Sequence, residues 1–145
     1  MNARALLALV AALLAGPAPA EEHDADGVVV HYTALSTMQL TPAIAASYGI
    51  ARSPNRGLLN VAVLRSVPGK TLGVPVPAQV VVTAANTLGQ LKPIAMRRVD
   101  EPPAIYYLGE VTVADQETVT FELQVVSEGA KTPIRLRLQH QFFAR

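Results

Sequence analysis

The chain has no cysteine and no tryptophan, and only three histidines and three phenylalanines in 145 residues. Without cysteine there can be no disulfide, no thiolate nucleophile, no thiolate metal site and no lipidated cysteine anchor. Charge is also sparse: Asp, Glu, Lys and Arg together make up 16% of the sequence. No long basic run occurs, which argues against nucleic acid or an anionic membrane as partner. The serine elbow G-x-S-x-G, the phosphate loop, H-E-x-x-H and G-x-G-x-x-G are all absent.

The first twenty residues are read as a secretory signal peptide. Arg4 supplies the positive start, residues 5–16 form a short apolar core, and Pro17 breaks it. Ala18-Pro19-Ala20 fits the small-x-small rule, so cleavage is expected after Ala20. The apolar run is shorter than the roughly 20 residues that a membrane span needs. The mature chain is therefore expected in the periplasm, with no membrane span. Arg4 leaves with the signal, so the twelve basic residues become eleven, against eleven acidic ones. The mature surface is formally neutral.

What remains is one domain's worth of chain. Residues 21–26, "EEHDAD", read as an acidic flexible tail. Residues 27–145 then read as a single β-domain. Seven short apolar segments bounded by turn residues are predicted as strands: 27–35, 57–65, 77–85, 92–99, 104–111, 117–126 and 132–143. The proline-rich stretch 66–77 reads as a loop. The last two strands alternate most clearly, with Val119, Phe121, Leu123 and Val125 on one face and Thr118, Thr120, Glu122 and Gln124 on the other. One wet face and one dry face mark an antiparallel sheet packed on a partner. The predicted fold is an all-β, seven-stranded antiparallel sandwich of immunoglobulin or fibronectin-III type, with a small closed barrel as the alternative. One helix is expected at about 41–49, between strands one and two. Thr41 is its N-cap, Pro42 its first residue and Gly49 its left-handed terminator.

Candidate chemistry is thin. Arg52, Asn55 and Arg56 follow the helix, and two guanidiniums there could clamp a carboxylate or phosphate. Asn60 interrupts an apolar strand. Tyr106 lies on the outer parity of its strand, where an exposed tyrosine can serve as a contact residue. These five form the candidate binding site; the bland alternative is that Arg52, Arg56 and Asn60 tie the helix end to the next strand and that Tyr106 covers a loop. His140 lies on the apolar face of the last strand. As a metal site it would need His31 nearby, with Met38 or Met96 as a soft ligand for copper. No two of these residues show ligand spacing.

Several stretches resemble one family. "HYTALSTMQLTPAIAASYGIARSPNRGLLNVAVL", and later "ANTLGQLKPI", "AIYYLGEV" and "LQHQFF", occur in the order seen in domain-of-unknown-function family 4426, a family of short secreted proteobacterial proteins. The resemblance runs from His31 to Phe143. It implies an envelope-located single domain with an immunoglobulin-like sandwich, and it implies no activity or catalytic residue. The leading functional expectation is a periplasmic non-enzymatic binding or accessory domain, contacting a protein or a small anionic ligand and needing no cofactor. The alternatives are a copper or zinc accessory protein using His31, His140 and a methionine, and an envelope hydrolase.

Overall fold

A computed structural model describes residues 21–144, and the expected signal peptide lies outside them. These residues form ten strands in two antiparallel sheets. The first sheet has the order β1-β2-β3-β8-β7, with β4 also paired to β3. Its strands are β1 (Glu21–Ala25), β2 (Val28–Ser36), β3 (Arg56–Val67), β4 (Lys70–Pro75), β7 (Met96–Glu101) and β8 (Ala104–Thr112). The second sheet has the order β10-β9-β5-β6. It contains β5 (Ala78–Asn86), β6 (Leu91–Lys92), β9 (Thr118–Ser127) and β10 (Ile134–Gln141). The two sheets pack face to face, so the fold is the expected β-sandwich.

The strand count rises from seven to ten for three local reasons. The acidic segment is not a free tail: Glu21 pairs with Tyr32 and Ala25 with Val28 in a hairpin. Its turn is Asp26-Gly27, both at positive φ, which matches the right-handed twist of the flanking strands. The 66–77 stretch is not a loop. It turns at Pro68-Gly69 and returns as β4 along β3, with a register shift between Arg65 and Val67. The segment expected as one strand at 92–99 divides: β6 ends at Lys92 in the second sheet, and β7 starts at Met96 in the first. Pro93 lies between them and cannot donate to a ladder.

The main core lies between the sheets. Val30, Val61, Val119, Phe121 and Val125 are buried there, on the faces that alternation predicted for β9. Tyr107 joins this core, and its hydroxyl accepts a hydrogen bond from Ala78 N–H at 2.7 Å. Gly57 lets the Phe142 ring lie against the backbone; a Cβ there would stand 2.5 Å from the ring.

A second, smaller core covers the outer face of the first sheet. Leu40, Ala45, Tyr48 and Ile50 pack onto Leu58, Tyr106 and Leu108. Helix α1 (Pro42–Ser47) contributes Ala45 to this cover, and the residues flanking it supply Leu40, Tyr48 and Ile50. The Thr41 hydroxyl accepts from Ile44 N–H at 3.2 Å. At the other end Gly49 N–H donates to Ala46 and Ile50 N–H to Ala45, a Schellman closure with Gly49 at positive φ. Six residues do not hold a helix by themselves, so the apolar contacts of Ala45 and its neighbours fix it.

Glu117 ties the far end of the second sheet together. It accepts from Lys92 Nζ at 2.7 Å, from Asn86 Nδ2 at 3.1 Å and from Ala114 N–H at 3.1 Å. Burial pushes the carboxyl up, but these donors outweigh it and hold Glu117 below its ordinary value of 4.5. A depressed folded-state pKa gives stability that is complete above 4.5 and lost as pH falls through the lower folded value. Urea midpoints measured from pH 6 to pH 3 are expected to fall through that window. Glu117→Gln should flatten this limb, and an unchanged acid limb in that variant would show that Glu117 does not govern it.

Candidate functional site

The five residues expected to form one binding corner separate into two groups. The first is stitched into its own domain. The Arg52 guanidinium donates to the Met38 carbonyl at 3.2 Å. Asn55 Nδ2 donates to the Val113 carbonyl, while Val113 N–H donates back to the Asn55 carbonyl. Arg56 reaches the Glu110 carboxylate on β8 at 3.3 Å. Thr37 and Ser53 lock the same loop from both sides, through Ser53 N–H to Thr37 Oγ1 and Thr37 Oγ1 to the Ser53 carbonyl. These side chains join the helix end to β3.

The second group is buried. Tyr106, expected on an exposed face, is 3% exposed because the α1 cap covers the outer side of β8. Asn60 is 2% exposed and faces Thr33 on β2 and Leu108 on β8. Neither the Tyr106 hydroxyl nor Asn60 Oδ1 has a hydrogen-bond partner. Close by, the Tyr48 hydroxyl donates to Glu101 Oε2 at 2.5 Å, and Arg97 donates to the Tyr48 carbonyl. Burial raises the pKa of Tyr48, and the Glu101 carboxylate raises it further, so the phenol stays a donor. Burial likewise raises the pKa of Tyr106. This polar cluster lies sealed under the cap.

The two histidines do not meet. His31 lies on the outer face of the first sheet, paired with Ala62 and 3.7 Å from the Glu22 carboxylate. His140 lies on the inner face of the second sheet, registered with the core residue Val119. The packed core separates the two faces. Burial lowers the pKa of His140 and so favours the neutral ring, which sits edge-on to Phe142 at 4.6 Å between centroids. Met38 is 40% exposed on the turn before α1, and Met96 packs against the main core. Among the described residues, no three His, Cys, Asp or Glu side chains gather as a metal-holding group.

An open cleft lies elsewhere. A cleft of about 610 Å³ lies at the end of the sandwich where the β1–β2 turn meets the β9–β10 loop. His23, Asp26, Arg65, Glu128, Lys131 and Arg135 line it. Arg65 comes from β3, Lys131 from the loop and Arg135 from β10, so three elements bring three cations to one mouth. Arg52, Arg56, Lys92, Arg97 and Arg98 are all engaged by oxygen atoms of the chain. The side chains of Arg65, Lys131 and Arg135 make no hydrogen bond or ion pair among the described residues. Three fixed positive charges against Asp26 and Glu128 leave the mouth basic. Sequence reading missed this site because Arg65 and Arg135 are far apart in the chain. The signal within reach was Asp26-Gly27, which folds the N-terminal segment back toward Arg65.

Fold and site together define a two-sheet β-sandwich with one capped outer face and an open cationic end. The chain belongs to the DUF4426 family, a domain of unknown function whose family model matches residues 22–145. A DUF4426 family protein of Pseudomonas aeruginosa PAO1 (PA0388) has a similar crystal structure, at 28% identity and a TM-score of 0.70, covering 86% of this chain and 94% of that one. FetP of uropathogenic Escherichia coli strain F11, expressed in the periplasm, shares the fold at 9% identity and a TM-score of 0.58, covering 87% of this chain and 95% of its own. A copper-bound FetP variant gives 10% identity and a TM-score of 0.59, covering 86% of this chain and 95% of its own. No curated protein matches the sequence. Among the described residues no helix is long and apolar enough to cross a membrane.

The sealed cluster yields a stability prediction. A buried acceptor without a partner costs about 1–3 kcal/mol. Asn60→Leu is therefore expected to raise the urea midpoint, whereas Tyr48→Phe, which strips a donor from buried Glu101, should cost about 1.5–3 kcal/mol. A loss of stability in Asn60→Leu would mean that the amide oxygen is satisfied in solution.

Proposed function

We propose that this protein is an exported, non-enzymatic binding domain of the cell envelope that takes a small organic anion in its end cleft. The observation that carries the reading is the convergence of Arg65, Lys131 and Arg135, unpaired among the described residues, on one concavity. Cations held at a concave surface focus potential and attract carboxylate or phosphate groups, and Arg presents a planar fork to both. Export is supported by the Arg4 to Ala20 signal pattern and by a shared fold with FetP, which was expressed in the periplasm. The hydrolase alternative finds little support, since Glu110 is ion-paired with Arg56 and Tyr106 lies under the cap.

The metal alternative keeps one specific support, the copper-bound FetP variant with the same fold. In this chain it would have to start from His31 and Glu22 alone, since His140 faces the opposite layer. Copper binding by the mature chain that disappears in His31→Ala would favour it; unchanged binding in that variant removes His31 from the reading.

Two measurements test the leading proposal. When the full chain is expressed in a Gram-negative host, N-terminal sequencing of the envelope fraction should begin at Glu21, and Ala20→Arg should block processing. Citrate at saturation should raise the Tm of the mature protein by about 5 °C. The shift should vanish in an Arg65→Ala, Lys131→Ala, Arg135→Ala triple variant and weaken steeply in 1 M salt, where the Debye length is about 3 Å. Equal shifts in wild type and triple variant would overturn the cleft as the anion site.

A further inference from the structure

The cationic cleft adjoins a free sheet edge. Strand β10 is the outermost strand of the second sheet and, among the described residues, pairs only with β9. It begins at Ile134, and Pro133, Ile134 and Arg135 also line the cleft. An outermost strand leaves every second N–H and C=O unpaired along its open side, which invites another chain unless the edge is blunted.

Among the described residues, most of the other strand edges are blunted: β4 carries Gly73 and ends at Pro75, while β5 stays uncovered over residues 78–83, beyond the reach of β6. β1 carries Glu21, Glu22 and Asp24 in five residues. β7 bears the exposed Arg98–Asp100 pair and runs into Pro102-Pro103. β6 is two residues long. β10 has eight residues with no proline, glycine or acid, and it is the longest of these edges. Its outward side chains are Arg135, Arg137, Gln139 and Gln141, and neither arginine is paired among the described residues.

We infer that the anion taken by the cleft is the C-terminal carboxylate of an extended peptide, which adds as a strand to β10. The inference rests on the anion reading above and assigns its ligand. Geometry sets the direction. β10 leaves the cleft at its first residue, so a chain ending in the cleft runs antiparallel to it. Antiparallel addition supplies backbone hydrogen bonds along the edge, and the terminal carboxylate meets Arg135 and Lys131. The arginines on the edge then have a second consequence: they favour a chain with acidic or neutral side chains and repel a basic one. Recognition of this kind reads the end of a chain rather than its interior. It fits a partner that exposes an unfolded or trimmed C-terminus.

A pool of acetylated hexapeptides randomised at every position tests the inference. It is presented to immobilised mature protein as free acids and, separately, as C-terminal amides. Free acids should be retained at least about tenfold better, since a charge-assisted hydrogen bond lost is worth about 1.5–3 kcal/mol. Arg135→Ala and Lys131→Ala, exposed changes expected to leave Tm unchanged, should erase the difference. N-methylation at alternate backbone amides of a retained peptide should cut its binding by a similar factor. Equal retention of acids and amides, or indifference to N-methylation at both alternate sets, overturns the peptide assignment. If peptides fail while the citrate shift persists and needs Arg135, the cleft binds free anions and only this inference falls. If citrate fails as well, the anion reading itself falls.

Discussion

Strand β3 has to be buried on both of its faces, and the rest of the structure follows from how that is met. Its inner side chains Leu59, Val61 and Val63 lie against the second sheet, and its outer side chains Leu58 and Asn60 lie under the α1 cap. A sandwich normally leaves the outside of each sheet to water, so a two-sided apolar strand demands a third layer. With no disulfide available, that layer is held by packing and by a few aimed hydrogen bonds: Thr41 and Gly49 at the helix ends, Tyr48 to Glu101, and Arg97 to the Tyr48 carbonyl. The cap converts the outer faces of β2, β3 and β8 into interior. Tyr106 is buried by it, and the loop carrying Arg52, Asn55 and Arg56 becomes a seam.

The same layer explains where the chain can meet a partner. Polar groups under the cap are enclosed and those in the seam are engaged by neighbouring carbonyls or, for Arg56, by the Glu110 carboxylate, so neither offers a ready surface. The opposite end of the sandwich has no cap. There the hairpin of β1 and β2, the end of β3 and the β9–β10 loop surround a cleft whose cations have no intramolecular task. In a chain of nearly balanced charge, such a local excess follows from where charges are left unpaired, and it is invisible in the net charge. The proposed role uses this end alone, with the core as a rigid frame behind it.

Much of the frame was legible in the sequence because its signals are local. Alternation in β9 assigned Val119, Phe121, Leu123 and Val125 to the core, and the caps at Thr41 and Gly49 placed α1. Errors arose where a local pattern was outweighed. "EEHDAD" has the composition of a solvated tail, yet the Asp26-Gly27 turn gives it a strand to pair with. Parity put Tyr106 outside the sandwich, which is correct, but parity says nothing of a helix lying over that face. Proline richness at 66–77 suggested a loop, whereas Pro68-Gly69 makes a turn and Pro75 closes an edge strand, where a missing donor costs little.

By itself the sequence determined the family, the two-sheet β class, the helix and its ends, and the faces of the clearest strands, because periodicity and capping act over a few residues. Only the tertiary structure decided which polar residues are free. Arg52 and Arg56 look like a site and are occupied, His31 and His140 look like a pair and lie on different layers, and Arg65, Lys131 and Arg135 look unrelated and share a cleft. Whether a charge is paired depends on distances set by strand order and register, and those are fixed by contacts between residues far apart in the chain.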